Sequence, residues 1–259
     1  MKNILLKIAY DGTNFSGWQR QPGARTVCGE LERILCSMTG FDIKLDGTSR
    51  TDAGVHALGQ CASFKSDIKI PTENLAKAMN NALAKDRVEN IGEIRILSAQ
   101  EMPDDFHARF SSKGKRYVYK IKQNREPDVF SRNYCYQIPK KLDIEAMREA
   151  AKYIVGEHDF ACFQSAGSPK KTTVRTVYDL TIEASDDTVL ILVSGNGFLY
   201  NMVRIIVGTL VEVGLGKRSP ESMADIIASC DRQKAGHTAP PQGLYLDEVF
   251  FKSWEEQNG

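Results

Sequence analysis

The run FLYNMVRIIVGTLVEV at 198–213 is the strongest constraint on what this chain can become. At helical spacing it is apolar almost all round, and such a helix must be buried in a core. It is too short to cross a bilayer and it carries Arg204 and Glu212, so a membrane span is not expected. Projected at 100° per residue, Gly197, Asn201, Arg204 and Gly208 share one stripe. A guanidinium on a mostly buried helix needs a carboxylate or several acceptors, because a lone buried charge is strongly disfavoured. Two readings are open at this point. Arg204 pairs with a structural acid or reaches solvent, or it meets a functional carboxylate across a cleft, with the glycines letting a backbone or ligand approach.

The remaining sequence supplies the partners for that helix. With 259 residues, 42% of them hydrophobic and 26% charged, the chain suits one large or two medium domains. NILLKIAYD alternates as a strand, and residues 11–25 form a loop with Gly12, Gly17, Pro22 and Gly23. Thr26 then caps a helix with Val27, Leu31, Ile34, Leu35 and Met38 inward, stopped by Gly40. Strand-like runs follow near 42–47 and 58–65, a helix from Pro71, and a strand near 92–99. The second half repeats these ingredients. GKRYVYKIK is a strand, Asp143 caps a helix ended by Gly156, and strands near 174–184 and 188–194 lead into the apolar helix at 198–213. A last helix begins at Ser219-Pro220, and GLYLDEVFF closes as a strand. The expected fold is α+β, in two similar halves, 1–105 and 106–259. Each is a largely antiparallel sheet with helices on one face, and a cleft lies between them.

The connection between the runs at 42–47 and 58–65 reads SRTDAGVHA. An Asp close to a Gly, as Asp52 is to Gly54, commonly makes a turn through a local side-chain hydrogen bond, so Asp52 is a turn former unless its surroundings give it chemistry. KGKRYVYKIK places Lys115, Tyr117, Tyr119 and Ile121 on one face and Arg116, Val118, Lys120 and Lys122 on the other. That pattern suits stacking on bases and holding phosphates, or simply a core face backed by a solvated one. Loop cations at Arg20, Arg25, Lys170, Lys171 and Arg175 add to the nucleic-acid reading, although a net charge of +1 means that any basic surface is local.

Several chemistries lack their sequence signs. There is no GxGxxG after the first strand and no GxxxxGK[ST], and GNGF is too weak to replace either. Four scattered histidines form no HExxH, and no GxSxG is present. A metal-dependent nuclease built on Asp52, His56 and His107 would have weak ligand spacing. The six cysteines contain no CxxC pair, and MKNILLKIAYDG has too short an apolar run for a secretory signal. A reducing cytoplasm, no metal and no cofactor are expected. What remains is a lone Asp with a possible Arg partner, suited to covalent or general-base catalysis, or else a nucleic-acid-binding module.

These residues carry a resemblance. YDGTNFSGWQRQ, SRTDAGVHA, DDFHARF, KRYVY, GEHDFACF, GNGFLYNMVRIIVGTL and GLYL occur in the order found in the TruA family of tRNA pseudouridine synthases, nearly end to end. The resemblance implies the pseudouridine synthase fold with a basic active-site cleft. It implies an isomerase that converts uridines 38, 39 and 40 of the tRNA anticodon stem-loop to pseudouridine without a cofactor. It also implies that Asp52 is the catalytic nucleophile, that Arg50 helps displace the target nucleotide, that Tyr117 stacks on the target base, and that Arg204 holds the catalytic carboxylate. A homodimer with one tRNA across both subunits is implied as well. Ser49 departs from a Gly frequent before that Arg, and a small residue still suits a tight turn.

Overall fold

The structure is a computed structural model that describes residues 1–86, 92–167 and 172–258. It contains two compact units, Met1–Lys113 with Leu246–Gln257, and Gly114–Tyr245. Relative to the division expected at residue 105, the chain leaves the first unit later and returns to it for its last strand.

The first unit contains β1 (Lys2–Tyr10), α1 (Val27–Thr39), β2 (Asp46–Gly47), β3 (His56–Ser66), α2 (Thr72–Asp86), β4 (Ile94–Met102) and α3 (Ala108–Ser111). β1 lies antiparallel between β3 and β4. Its alternation buries Ile4, Leu6 and Ile8 completely, each side chain contributing about 1.5–3 kcal/mol relative to exposure. Thr26 Oγ1 accepts the Gly29 N–H at 3.3 Å to start α1, and Gly40, at φ +75°, ends it in the left-handed region as expected. The run expected near 42–47 contracts to β2. Leu45 donates its N–H to Glu32 Oε1 at 3.0 Å instead of to a neighbouring strand, and Asp42 and Lys44 pair in solvent at 2.6 Å.

The second unit contains β5 (Gly114–Gln123), β6 (Tyr136–Ile138), α4 (Ile144–Lys152), β7 (Gly156–Asp159), β8 (Val174–Ser185), β9 (Thr188–Gly195), α5 (Met202–Gly214) and α6 (Ser222–Ser229). Its strands run in the order β5-β9-β8-β7, all antiparallel, with β6 parallel to β5. Asp143 Oδ1 accepts the Ala146 N–H at 3.0 Å and caps α4. That helix ends at Lys152, and Gly156, at φ +112°, opens β7 rather than closing the helix. The chain then enters β10 (Leu244–Phe250) and α7 (Trp254–Asn258). β10 lies beside β3, which ties the last strand to the first unit.

The apolar helix is α5, and it begins four residues later than its hydropathy suggests. Asn201 sits at φ 60°, a left-handed conformation that cannot continue a helix backward, so Gly197 precedes α5 and is not on its stripe. Ile205, Ile206, Val207 and Leu210 are fully buried. One face of α5 is covered by the backbone of residues 235–239. Gly236 donates its N–H to Thr209 Oγ1 at 2.9 Å, Ala239 donates to the Arg204 carbonyl at 3.0 Å, and a Cβ on Gly208 would collide with the His237 carbonyl oxygen. Glu212 Oε1 accepts the His237 N–H at 3.1 Å, while Arg218 donates to Oε2 at 2.6 Å. Burial pushes the Glu212 carboxyl up, but these bonds outweigh it and hold the group below its ordinary value.

Tyr119 of β5 is fully buried and donates its hydroxyl to the Pro240 carbonyl at 2.7 Å; burial raises its phenol far above the usual range. Lys120 lies over the Tyr245 ring at 4.1 Å, and Lys122 pairs with Asp128 at 2.8 Å. The alternation in β5 is therefore mainly a core face backed by internally engaged cations. All six cysteines are free, and only Cys36 and Cys230 are exposed. Burial pushes the Cys28 and Cys162 thiols up to about 12. No helix among the described residues is long and apolar enough to cross a membrane.

Gly208→Ala is expected to cost about 3 kcal/mol, since the obstructing atom belongs to backbone and cannot rotate away. A lowered denaturation midpoint at unchanged m-value is the readout.

Candidate active site

Asp52 lies in the first unit, on the connection between β2 and β3, and every flank of that connection is tied down. Thr48 donates its N–H to the Cys61 carbonyl at 2.8 Å. Gln60 closes a two-way bridge with Ser49, accepting its N–H at 3.3 Å and donating to its carbonyl at 2.8 Å. The Thr51 carbonyl accepts the Trp18 N–H at 3.1 Å, and the Thr51 and Tyr10 hydroxyls share a buried hydrogen bond of 2.6 Å. Beyond the carboxylate, Val55 donates to the Asp52 carbonyl at 3.2 Å, Gly54 donates to Phe15 at 3.3 Å, and His56 Nδ1 accepts the Gly12 N–H at 3.1 Å. Gly54 stands at φ +76° and makes this a tight turn. The backbone from Asp52 to Val55 is thus a turn, closed by a backbone hydrogen bond. The Asp52 side chain is half-buried between the buried Thr51 and the exposed Ala53, and Arg50 is exposed.

The loop before α1 is pressed against this turn, and glycines make that possible. A Cβ on Gly17, which sits at φ +85°, would stand 2.6 Å from the Thr51 carbonyl oxygen, and one on Gly12 would collide with that of Val55. Trp18, almost fully buried, occupies the space over Gly47. Tyr10, Trp18, Gln60 and His56 therefore set the loop, and residue-type reasoning did not single them out for that role. The signal for them was the pair Gly12 and Gly17, whose missing side chains mark the close approach. Ser49 fits with its hydroxyl buried and lacking a hydrogen-bond partner among the described residues.

Arg204 and Tyr117 lie in the second unit. The Arg204 side chain is half-buried; Nε donates to the Ala239 carbonyl at 2.7 Å and Nη1 to Asn201 Oδ1 at 2.8 Å. Asn201 Nδ2 in turn donates to Ser165 Oγ at 3.0 Å. These two bonds, to a backbone carbonyl and to a side-chain amide, fix the direction of the guanidinium. Tyr117, buried on β5, meets the edge of Phe198 at 5.4 Å between ring centroids and 85° between planes. Phe198 belongs to GNGF, which serves here as an aromatic support. The loop cations are largely engaged within the protein: Arg20 with Glu32 at 3.1 Å, Arg25 with Glu93 at 2.7 Å, and Arg175 with the Thr172 carbonyl at 3.2 Å. Lys170 and Lys171 lie outside the described residues. Among the described residues no group of three His, Cys, Asp or Glu side chains could hold a metal ion.

Tyr10→Phe removes the partner of a buried hydroxyl beside Asp52. A loss of about 1–2 kcal/mol in denaturant unfolding is expected, and an unchanged midpoint would mean that Thr51 finds another partner.

The family described as tRNA pseudouridine synthase matches residues 7–111 and 150–252. A tRNA pseudouridine synthase A of Thermoanaerobacter sp. is 49% identical over 97% of this chain and 100% of its own length. A tRNA pseudouridine synthase A 2 of Clostridium perfringens is 46% identical over the same shares, and a tRNA pseudouridine synthase A of Geobacillus sp. is 49% identical over 96% of this chain and 98% of its own. With its seven ordered motifs spread over both units, the chain belongs to the TruA family of tRNA pseudouridine synthases.

Proposed function

We propose that this isomerase converts uridines 38, 39 and 40 of the tRNA anticodon stem-loop to pseudouridine, with Asp52 as the nucleophile. The observation that carries the reading is the Asp52 turn, where the flanking backbone is fixed on both sides and the carboxylate is left partly accessible. A fixed nucleophile is what a reaction without cofactor requires, since positioning must supply what a cofactor otherwise would.

A uridine within a stem must leave its stack before its sugar C1′ and base C5 can be reached, at a cost of a few kcal/mol. Tyr117, steadied edge-on by Phe198, is the platform for the extruded base. Arg50, exposed two residues before Asp52, occupies or pushes at the vacated position. A cation near a carboxylate favours its ionised form, and that is the role of Arg204. During the reaction the N1–C1′ bond breaks, the uracil turns, C5 joins C1′, and the hydrogen on C5 leaves as a proton while N1 gains one. Family resemblance also supports a homodimer that binds one tRNA across both subunits in the cytoplasm.

Release of tritium from tRNA carrying 5-tritiated uridine, assayed in chelator, tests this directly. The intact chain is expected to release it and Asp52→Ala to release none; tRNA binding without release by either protein would leave a binding module. Arg204→Lys should reduce the rate by ten-fold or more, on the order of 1.4 kcal/mol, because an ammonium cannot hold a carboxylate bidentately while keeping the Ala239 and Asn201 bonds. A rate equal to the parent's would remove Arg204 from the site.

A further inference from the structure

The DDFHARF motif ends in a side chain that neither the core nor the Asp52 turn uses. Phe110 is 76% exposed on the single turn of α3. Its backbone is nevertheless closely held. His107 O accepts the Phe110 N–H at 3.0 Å and the Ser111 N–H at 2.8 Å, His107 Nδ1 accepts the Arg109 N–H at 3.2 Å, and Ser111 Oγ accepts the His107 N–H at 3.1 Å. Ala108, fully buried, donates its N–H to Ser63 Oγ of β3 at 2.9 Å. The Ala108 carbonyl accepts the Thr48 hydroxyl at 3.3 Å, which ties this turn to the start of the Asp52 connection, four residues ahead of the carboxylate. A rigid turn thus displays an aromatic ring instead of burying it.

Its neighbours define a surface. The His107 ring lies 4.4 Å from the Phe110 ring, and the Arg109 guanidinium sits over that ring at 5.6 Å. Arg109 is itself exposed. Asp46 lies 3.5 Å from His107 Nε2, at the edge of this surface, and Asp104 acts on the amino terminus. An outward aromatic face beside an arginine fits an unpaired nucleotide, whose base stacks on the ring while its phosphate meets the cation.

We propose that Phe110 is a stacking platform for an unpaired base of the RNA substrate other than the target uridine, with Arg109 contacting the adjoining phosphate. Flipping one nucleotide removes a stacking partner from its neighbours, and an aromatic platform fixed to the same scaffold as Asp52 replaces it.

Equilibrium binding of a fluorescent, unmodified tRNA transcript to the full-length chain tests this without reading turnover, so its outcome is separate from that of the Asp52 assignment. Phe110→Ala and Phe110→Leu should each bind about ten-fold more weakly, Phe110→Trp should stay within about two-fold of the parent, and Arg109→Gln should lower the slope of log affinity against log salt by about one. Parent-like affinity in Phe110→Ala, or restoration by Leu as complete as by Trp, would overturn stacking. A change in sedimenting mass in Phe110→Ala would make the patch an interface between copies and overturn it equally. Because the ring points outward, melting temperatures of all four variants should match the parent's, which separates lost contact from lost fold.

Discussion

A half-buried guanidinium on a mostly apolar helix is the constraint around which the second unit is arranged. α5 can keep Arg204 inside because the backbone at 235–239 is laid along it and offers a carbonyl at Ala239. That backbone can come so close only where α5 presents Gly208, and only where the segment itself has Gly236. The same segment continues to Pro240, whose carbonyl takes the hydroxyl of Tyr119 in β5. One cation therefore fixes a helix, a covering strand of irregular backbone and a buried phenol in a single chain of contacts. Replacing any member by a residue of similar hydropathy but different shape would leave a polar atom unmatched, which is more costly than the loss of apolar area alone.

The first unit solves a parallel problem by the opposite means. Asp52 sits on a turn and not on a helix. It is set by fixing the residues before and after it, through Trp18, Tyr10 and Gln60 on one side and Phe15 and Gly12 on the other. In both units glycines pay for proximity: they give up the side chain so that another backbone can take its place.

How legible this was depends on how local each cause is. Thr26, Gly40 and Asp143 act within one helical turn, and the caps they make are where their residue types put them. Long alternating strands such as β1 and β9 were equally plain. Gly156 misled because a left-handed glycine serves a strand entry as well as a helix exit, and α5 started late because hydropathy does not register the φ of Asn201. Short elements such as β6, β7 and α3 carry no period to detect. At the candidate site, Arg204, Asp52 and Tyr117 stand out from a helix stripe, a loop and a strand, and the roles of these three and of Arg50 come from the family resemblance, but what holds them does not show in the sequence. The Tyr10–Thr51 bond joins residues 41 apart, and Tyr119–Pro240 joins residues 121 apart; such pairings follow from the fold and not from spacing.

The fixed Asp52 turn also has a thermodynamic meaning. Ordering a loop of this kind when a ligand arrives would draw its conformational entropy from the free energy of association, at roughly 1–2 kcal/mol per residue. Here that ordering is completed when the protein folds, because each flank of the turn already has its hydrogen-bond partner. The association energy of a bound RNA is then available to deform the RNA rather than the protein.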